Sequence, residues 1–119
     1  MGREVRLALD DVLKTIDLIA VAVDGRDYDA YKGDPLLRAA VERCLEIISE
    51  ASRHIPANLK ARHPEVPWTD VAGIGNILRH AYHKVSHEVV WVTVTQHLAE
   101  LREAVLSLRD LVGHEGQSE

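Results

Sequence analysis

The sequence predicts an all-α fold, an antiparallel bundle of four to five helices. Apolar residues recur three and four positions apart over long stretches, which is the spacing of one helix face. Strand-like alternation with hairpin turns is absent, and only seven glycines and four prolines interrupt the 119 residues. A chain of this length fits one packed domain, which we expect at residues 1–112, followed by a flexible tail at 113–119.

Two long helices are predicted in the first half of the chain. The first covers residues 3–23 and ends at Asp24-Gly25, and a short acidic and aromatic connection follows at 27–31. The second begins after Asp34, a good N-cap residue, and ends at Pro56. The apolar stripes of these helices are Val5, Leu9, Val12, Leu13, Ile16, Ile19 and Ala20 in the first, and Leu37, Val41, Cys44, Leu45, Ile48, Ala51 and Ile55 in the second.

The sequence of the second half of the chain predicts one or two helical turns and two further helices. Residues 57–62 suit one or two helical turns, and residues 63–67 are expected to be extended because each proline biases its predecessor away from the helical region. Thr69 or Asp70 is expected to cap a third helix that begins near Val71. Ser86 is expected to cap the last helix, whose apolar residues continue to Leu111.

Composition restricts the classes of protein to which the chain can belong. Cys44 is the only cysteine, so an intrachain disulfide and a thiolate metal cluster are excluded. The longest apolar run, residues 18–23, is too short to span a bilayer and follows acidic residues that a secretory signal would not carry. We therefore expect a cytoplasmic protein without membrane attachment.

The net charge of -5 is unevenly distributed along the chain. Residues 52–87 contain five lysines and arginines against two acidic residues, together with five of the seven histidines. One interpretation is a locally basic band that binds phosphate on an otherwise acidic body. The other is an ordinary solvated surface, and composition does not separate the two.

The richest polar segment is Gly75-Asn76-Ile77-Leu78-Arg79-His80-Ala81-Tyr82. On a helix, Asn76, His80 and Lys84 share one face, and Arg79 and Tyr82 lie on its flanks. An amide, a guanidinium, an imidazole and a phenol within two turns are groups that handle phosphate and protons. The spacing therefore permits a compact polar site.

The chain resembles the HepT-like branch of the HEPN superfamily from about Leu9 to Val105. The resemblance is carried by "RAAVERCLEIISEAS" at 38–52, "HPEVPW" at 63–68, "GIGNILRHAYHKV" at 73–85 and "VVW" at 89–91. It implies a small cytoplasmic bacterial protein that forms a homodimer of helical bundles and acts as the toxin of a toxin-antitoxin module. The implied partner is a minimal nucleotidyltransferase antitoxin.

The resemblance also implies a reaction, which is metal-independent and cofactor-independent RNA cleavage by attack of a 2′-hydroxyl on the neighbouring phosphate. Asn76, His80 and Tyr82 match the family motif, whereas Gly75 stands where the family has an arginine. Imidazole moves protons near neutral pH, and a guanidinium stabilises the charged phosphorane. Without the motif arginine, we expect His80 to be general base or acid and Asn76 to orient it.

Arg79 is the expected replacement for the motif arginine. It lies about 100° around the helix from His80, so we expect the two to meet across a dimer axis. Glu50, which matches an acidic family position, and Lys84 are expected to support this composite site.

Three classes of function follow from these observations. In the first, the protein is an endoribonuclease toxin, and the antitoxin attaches AMP to Tyr82; the alternative for Tyr82 is a half-buried packing residue. In the second, Gly75 marks a catalytically degenerate HEPN protein that serves as a binding partner of a nucleotidyltransferase. In the third, the chain is a plain helical dimerisation module.

Overall fold

The computed structural model describes residues 2–80 and 86–117, and the predicted all-α fold is confirmed for these residues. Their order is α1 (Arg3–Val23), α2 (Tyr28–Lys32), α3 (Pro35–Ser52), α4 (Ala57–Lys60), α5 (Trp68–His80), α6 (His87–Val92), a π-helical turn (Thr93–His97) and α7 (Leu98–Gln117). None of the helices in these two ranges has the length and apolar character needed to cross a membrane.

Helix α3 is the centre of the bundle, because it packs against both α1 and α5, while α1 also packs against α7. The predicted apolar stripes supply the core. Leu9 and Val12 of α1, Val41 of α3 and Val105 of α7 are each no more than 1% exposed. The spacing of apolar residues therefore fixes which face of each long helix is buried.

Two of the predicted N-caps are confirmed. The Asp34 carboxylate accepts a hydrogen bond from the Leu37 N–H at 3.0 Å, and Ser86 Oγ accepts one from the Val89 N–H at 3.1 Å. The connection predicted at 27–31 is instead the short helix α2, because the Asp27 side chain caps it through the Ala30 N–H.

The segment between α3 and α5 differs from the prediction in three ways. Helix α3 ends at Ser52, three residues before Ile55. The segment predicted as extended forms a turn in which the Val66 N–H donates to the His63 carbonyl, an arrangement that favours proline at the second position, here Pro64. Helix α5 begins at Trp68 and not near Val71.

Trp68 explains the early start of α5. Its Nε1–H donates to the carbonyls of Lys60 and His63, both at 3.0 Å, so the first residue of the helix is bound to the preceding turn. The Lys60 ammonium lies 5.8 Å from the centre of the indole ring, and burial lowers the pKa of this lysine. These contacts fix the N-terminal end of α5, the helix that contains most of the polar segment and packs against α3.

The last helical region runs without a break from His87 to Gln117 through the π-helical turn. Thr93 and Thr95 donate their hydroxyl protons to the carbonyls of Val89 and Trp91, one turn back, a bond that competes with the regular helix pattern. Helix α7 continues past residue 112, the predicted domain end, and the flexibility of the tail stays a prediction.

Candidate active site

Helix α5 is joined to α3 by an unusually close contact at Gly75. Ser49 Oγ of α3 donates to the Ala72 carbonyl at 2.7 Å and accepts from the Gly75 N–H at 3.1 Å. A Cβ atom at position 75 would lie 2.8 Å from Ser49 Oγ and 3.0 Å from Ser49 Cβ, which is closer than such atoms approach in folded proteins. Position 75 therefore faces the neighbouring helix and has no room for a side chain in this packing.

Asn76 and His80 lie on the outer face of α5, and both are exposed to solvent. Ile77 lies beside them and is 46% exposed. Gly73 is one turn before, and a Cβ atom built on it meets nothing within 4 Å. We call Gly73, Asn76, Ile77 and His80 the outer face of α5; no other part of the described chain covers it. Tyr82 and Lys84, the remaining predicted site residues, lie outside the described residues.

Arg79 lies about 100° around α5 from His80, on the side nearer α3. It lines a groove of about 550 Å³ between α1, α3 and α5, and Glu50 of α3 and His54 of the turn that follows α3 line the same groove. Asn76 and His80 do not belong to this groove. The chain thus brings Arg79 and Glu50 to one surface and separates them from His80, so the predicted meeting of Arg79 with His80 requires a second subunit.

Glu50 has two basic neighbours at the end of α3. Its carboxylate oxygens lie 4.0 Å from Arg53 Nη1 and 3.7 Å from His54 Nε2, and all three side chains are at least 44% exposed. Arg53 also reaches α5, where its Nε and Nη2 donate to the Ala72 carbonyl at 3.3 and 2.9 Å. Contacts of exposed ions of this kind contribute little to stability, so their interest lies in the position of the charges.

The sequence interpretation counted Arg53 and His54 in the locally basic band at 52–87 and did not place them among the site residues. The signal that could have found them is their position three and four residues after Glu50, on the polar side of α3, because residues at these spacings contact one another on a helix. The further contact of Arg53 with α5 depends on the Gly75 packing and follows from no local spacing.

A second cavity lies on the opposite side of α5, between α3, α5 and the π-helical turn. Its volume is about 380 Å³, and its floor is formed by apolar side chains that include Leu45, Ile48 and Ile74. None of the predicted site residues lines it, so it is separate from the polar segment.

Comparison with known proteins identifies the family. The family described as "Ribonuclease HepT-like" matches residues 12–108 of the chain. The chain belongs to the HepT-like ribonuclease family. The resemblance carried by the four sequence segments is thereby confirmed, and the HepT-like protein is placed among ribonucleases of the HEPN superfamily.

The curated relatives of this HepT-like protein carry ribonuclease names. "Probable ribonuclease HepT" of Thermococcus cleftensis is 36% identical over 109 residues, which cover 92% of this chain and 99% of the relative. "Putative RNase MJ1380" of Methanocaldococcus jannaschii is 32% identical over 103 residues, covering 87% and 94%. "Putative RNase TTE0752" of Caldanaerobacter subterraneus subsp. tengcongensis is 32% identical over 97 residues, covering 82% and 87%. No solved structure matches the chain.

Proposed function

We propose that this HepT-like protein is the toxin of a toxin-antitoxin module, a metal-independent endoribonuclease with a composite site at the interface of a homodimer. The observation that carries the proposal is the outer face of α5. In a chain of a ribonuclease family, this face presents the imidazole of His80 and the amide of Asn76 to solvent on one uncovered surface. The resident compartment in this proposal is the bacterial cytoplasm.

The reaction needs proton transfer and no redox chemistry. The 2′-oxygen of a ribose attacks the adjacent phosphorus and loses its proton, while the bond from phosphorus to the 5′-oxygen of the next nucleotide breaks and that oxygen gains a proton. His80 accepts the first proton or donates the second, because imidazole titrates near neutral pH. Asn76, one turn before on the same face, orients the ring or a phosphate oxygen.

The same face suits contact with a second copy of the chain. Gly73 lets a neighbouring helix approach closely, and Ile77 offers an exposed apolar side chain on the same face. A twofold axis beside α5 would place Arg79 of one subunit near His80 of the other. Arg79 then stabilises the phosphorane charge, and Glu50, which lines the groove of Arg79, orients the guanidinium.

RNA cleavage by purified protein tests the role of His80. We expect His80→Ala to lower the cleavage rate by about 100-fold or more, the usual contribution of a general acid or base. His97→Ala is the matched control, because it removes an exposed imidazole that lies beside the apolar cavity and not on the outer face. Equal cleavage by wild-type protein and His80→Ala would remove His80 from the mechanism.

The antitoxin is proposed to be a nucleotidyltransferase that transfers AMP to Tyr82. Each transfer would place an anionic nucleotide two residues after His80 and block RNA entry by size and charge. The mass of the intact protein after coexpression with a nucleotidyltransferase encoded next to it tests this step. If cells that express both proteins grow normally while Tyr82 stays unmodified, the antitoxin must inhibit the toxin by complex formation alone.

The second candidate function is a catalytically degenerate binding partner of a nucleotidyltransferase. The specific observation in its favour is the contact of Gly75 with Ser49, which excludes the family's arginine from position 75. A protein that neither cleaves RNA nor arrests growth, and that still copurifies with the nucleotidyltransferase, would establish this alternative. A protein that does not cleave RNA, does not arrest growth and does not copurify with the nucleotidyltransferase would be a dimerisation module.

A further inference from the structure

Arg53 is the residue that the Gly75 packing brings to the polar segment. Ser49 binds α5 through Gly75 and Ala72, and Arg53 follows Ser49 by one helical turn on the same side of α3. The two helices are therefore close enough for the Arg53 side chain to lie across the seam. Its Nε and Nη2 donate to the Ala72 carbonyl at 3.3 and 2.9 Å.

This contact places a guanidinium beside Asn76. In an α-helix the carbonyl of residue 72 is the acceptor for the N–H of residue 76, so Arg53, Ser49 and the Asn76 backbone share one oxygen. Helical side chains lean towards the N-terminus of their helix, which directs the Asn76 amide towards the turn that holds Arg53. His80 leans in the same way towards Asn76, and the three groups follow one another along α5.

The guanidinium is anchored without being fully used. A guanidinium carries five N–H groups, and the Ala72 carbonyl engages only Nε and Nη2. Nη1 lies 4.0 Å from Glu50, beyond hydrogen-bond distance, and the side chain is 44% exposed. A fixed guanidinium with donors open to solvent is suited to bind a phosphate oxygen, because little side-chain freedom is lost on binding.

We propose that Arg53 is an RNA-binding residue that binds a backbone phosphate next to the linkage being cleaved. The proposal rests on the proposed function and adds a subsite to it. Residues 72 and 80 are about 12 Å apart along the helix axis, so Arg53 and His80 are suited to bind neighbouring phosphates of one strand. Arg53 therefore holds a flanking phosphate, and it supplies from α3 part of the positive charge that Gly75 excludes from α5.

The first test is the salt dependence of RNA binding. The affinity of the His80→Ala protein for a single-stranded RNA of eight nucleotides is measured at several salt concentrations. The measurement is repeated with two double variants, in which Arg53→Gln or Arg109→Gln is combined with His80→Ala. Arg109 is the matched control because it is 49% exposed and pairs with Asp10 on the α1 and α7 side of the bundle. We expect Arg53→Gln to reduce the slope of log affinity against log salt by about 0.7, the value for one phosphate contact, and Arg109→Gln to leave it unchanged.

The second test compares two substrates with the active protein. A dinucleoside monophosphate contains only the cleaved phosphate, so Arg53→Gln should cleave it at the wild-type rate. On the eight-nucleotide RNA, the same variant should lose about tenfold in kcat/KM, the effect of one hydrogen bond to a charged group, mainly through KM. Arg53→Lys keeps the charge without the forked donors, and we expect a loss between those of Arg53→Gln and wild type.

The outcomes separate this proposal from the proposed function. If Arg53→Gln lowers kcat/KM equally on both substrates, Arg53 has a purely structural role and the proposal is overturned. An unchanged slope of log affinity against log salt in the Arg53→Gln variant would also overturn the proposal. If the wild-type protein neither binds nor cleaves RNA, the proposed function itself fails before any Arg53 variant is compared.

Discussion

Replacement of Gly75 by alanine tests the contact that organises the site. Alanine normally stabilises a helix interior relative to glycine by about 1 kcal/mol. At position 75 the added methyl group would lie 2.8 Å from Ser49 Oγ and 3.0 Å from Ser49 Cβ. Because one of these atoms is bonded directly to the α3 backbone, rotation of the Ser49 side chain cannot remove the whole overlap, and the two helices must move apart.

The expected loss of stability follows from the contacts that would be broken. Overpacking by one methyl group costs about 1 to 3 kcal/mol. Displacement of Ser49 also breaks its hydrogen bonds to Ala72 and Gly75, worth about 1 kcal/mol each. After the gain in helix propensity is subtracted, we expect a net decrease of about 3 kcal/mol in the free energy of unfolding, or roughly 10 °C in Tm for a domain of this size.

Gly73→Ala is the matched control, since it adds the same methyl group to the same helix two residues earlier. A Cβ atom there meets nothing within 4 Å in the same chain, so we expect Gly73→Ala, measured at a concentration at which the proposed dimer is dissociated, to raise the free energy of unfolding by up to about 1 kcal/mol. Urea unfolding followed by circular dichroism measures both variants. Equal stabilities of Gly73→Ala and Gly75→Ala would refute the conclusion that α5 contacts α3 through position 75.

The remaining predictions concern position 75 again and three other contacts of the chain. Gly75→Arg, which restores the family motif in sequence, should unfold more readily than Gly75→Ala and gain no RNA cleavage, because the side chain has no space; higher activity in a folded variant would contradict this. Among the described residues the buried Tyr31 hydroxyl has no hydrogen-bond partner, so Tyr31→Phe should be as stable as wild type or about 1 kcal/mol more stable at pH 7, as measured in urea. Burial raises the pKa of Tyr31 to about 12, above its unfolded value near 10. The free energy of unfolding is therefore constant with respect to this group below pH 10 and falls as the pH rises towards 12. A pH series should show the wild-type protein losing up to about 3 kcal/mol relative to Tyr31→Phe. Trp68→Phe should cost about 1 to 2 kcal/mol through loss of the two hydrogen bonds of Nε1, and an unchanged urea midpoint would show that these bonds do not fix the start of α5. Asp34→Ala should cost about 1 kcal/mol by removing the cap of α3, whereas Asp34→Asn should retain most of it.

The helical architecture could be predicted from the sequence because the signals that encode it are local. The stripes around Leu9 and Val41 mark the buried faces of α1 and α3, and Asp34 and Ser86 mark helix starts. The prediction was wrong where a distant contact overrides local preference. The early start of α5 depends on Trp68 binding two carbonyls of the preceding turn, and no spacing of residues reports such a bond.

The candidate site shows the same division between local and distant information. The shared face of Asn76 and His80 follows from helical spacing, as does the divergence of Arg79. The contact of Arg53 with α5 does not follow from helical spacing, because it depends on how closely α3 and α5 approach. This distance is set by the pairing of Gly75 with Ser49.

Gly75, Ser49 and Arg53 are best understood as one unit. Position 75 points about 100° away from Asn76 towards α3, so an arginine there needs the two helices to be further apart than they are in this chain. Glycine allows the close approach, Ser49 binds the two helices together, and the shortened distance brings Arg53 onto the surface of α5. The absence of a side chain at position 75 and the contact of Arg53 with α5 therefore both go with the close approach of the two helices. In the proposed function Arg79 stabilises the charge of the cleaved phosphate and Arg53 binds a neighbouring one, so we expect that a substitution at position 75 alone does not restore the arrangement that the family motif describes.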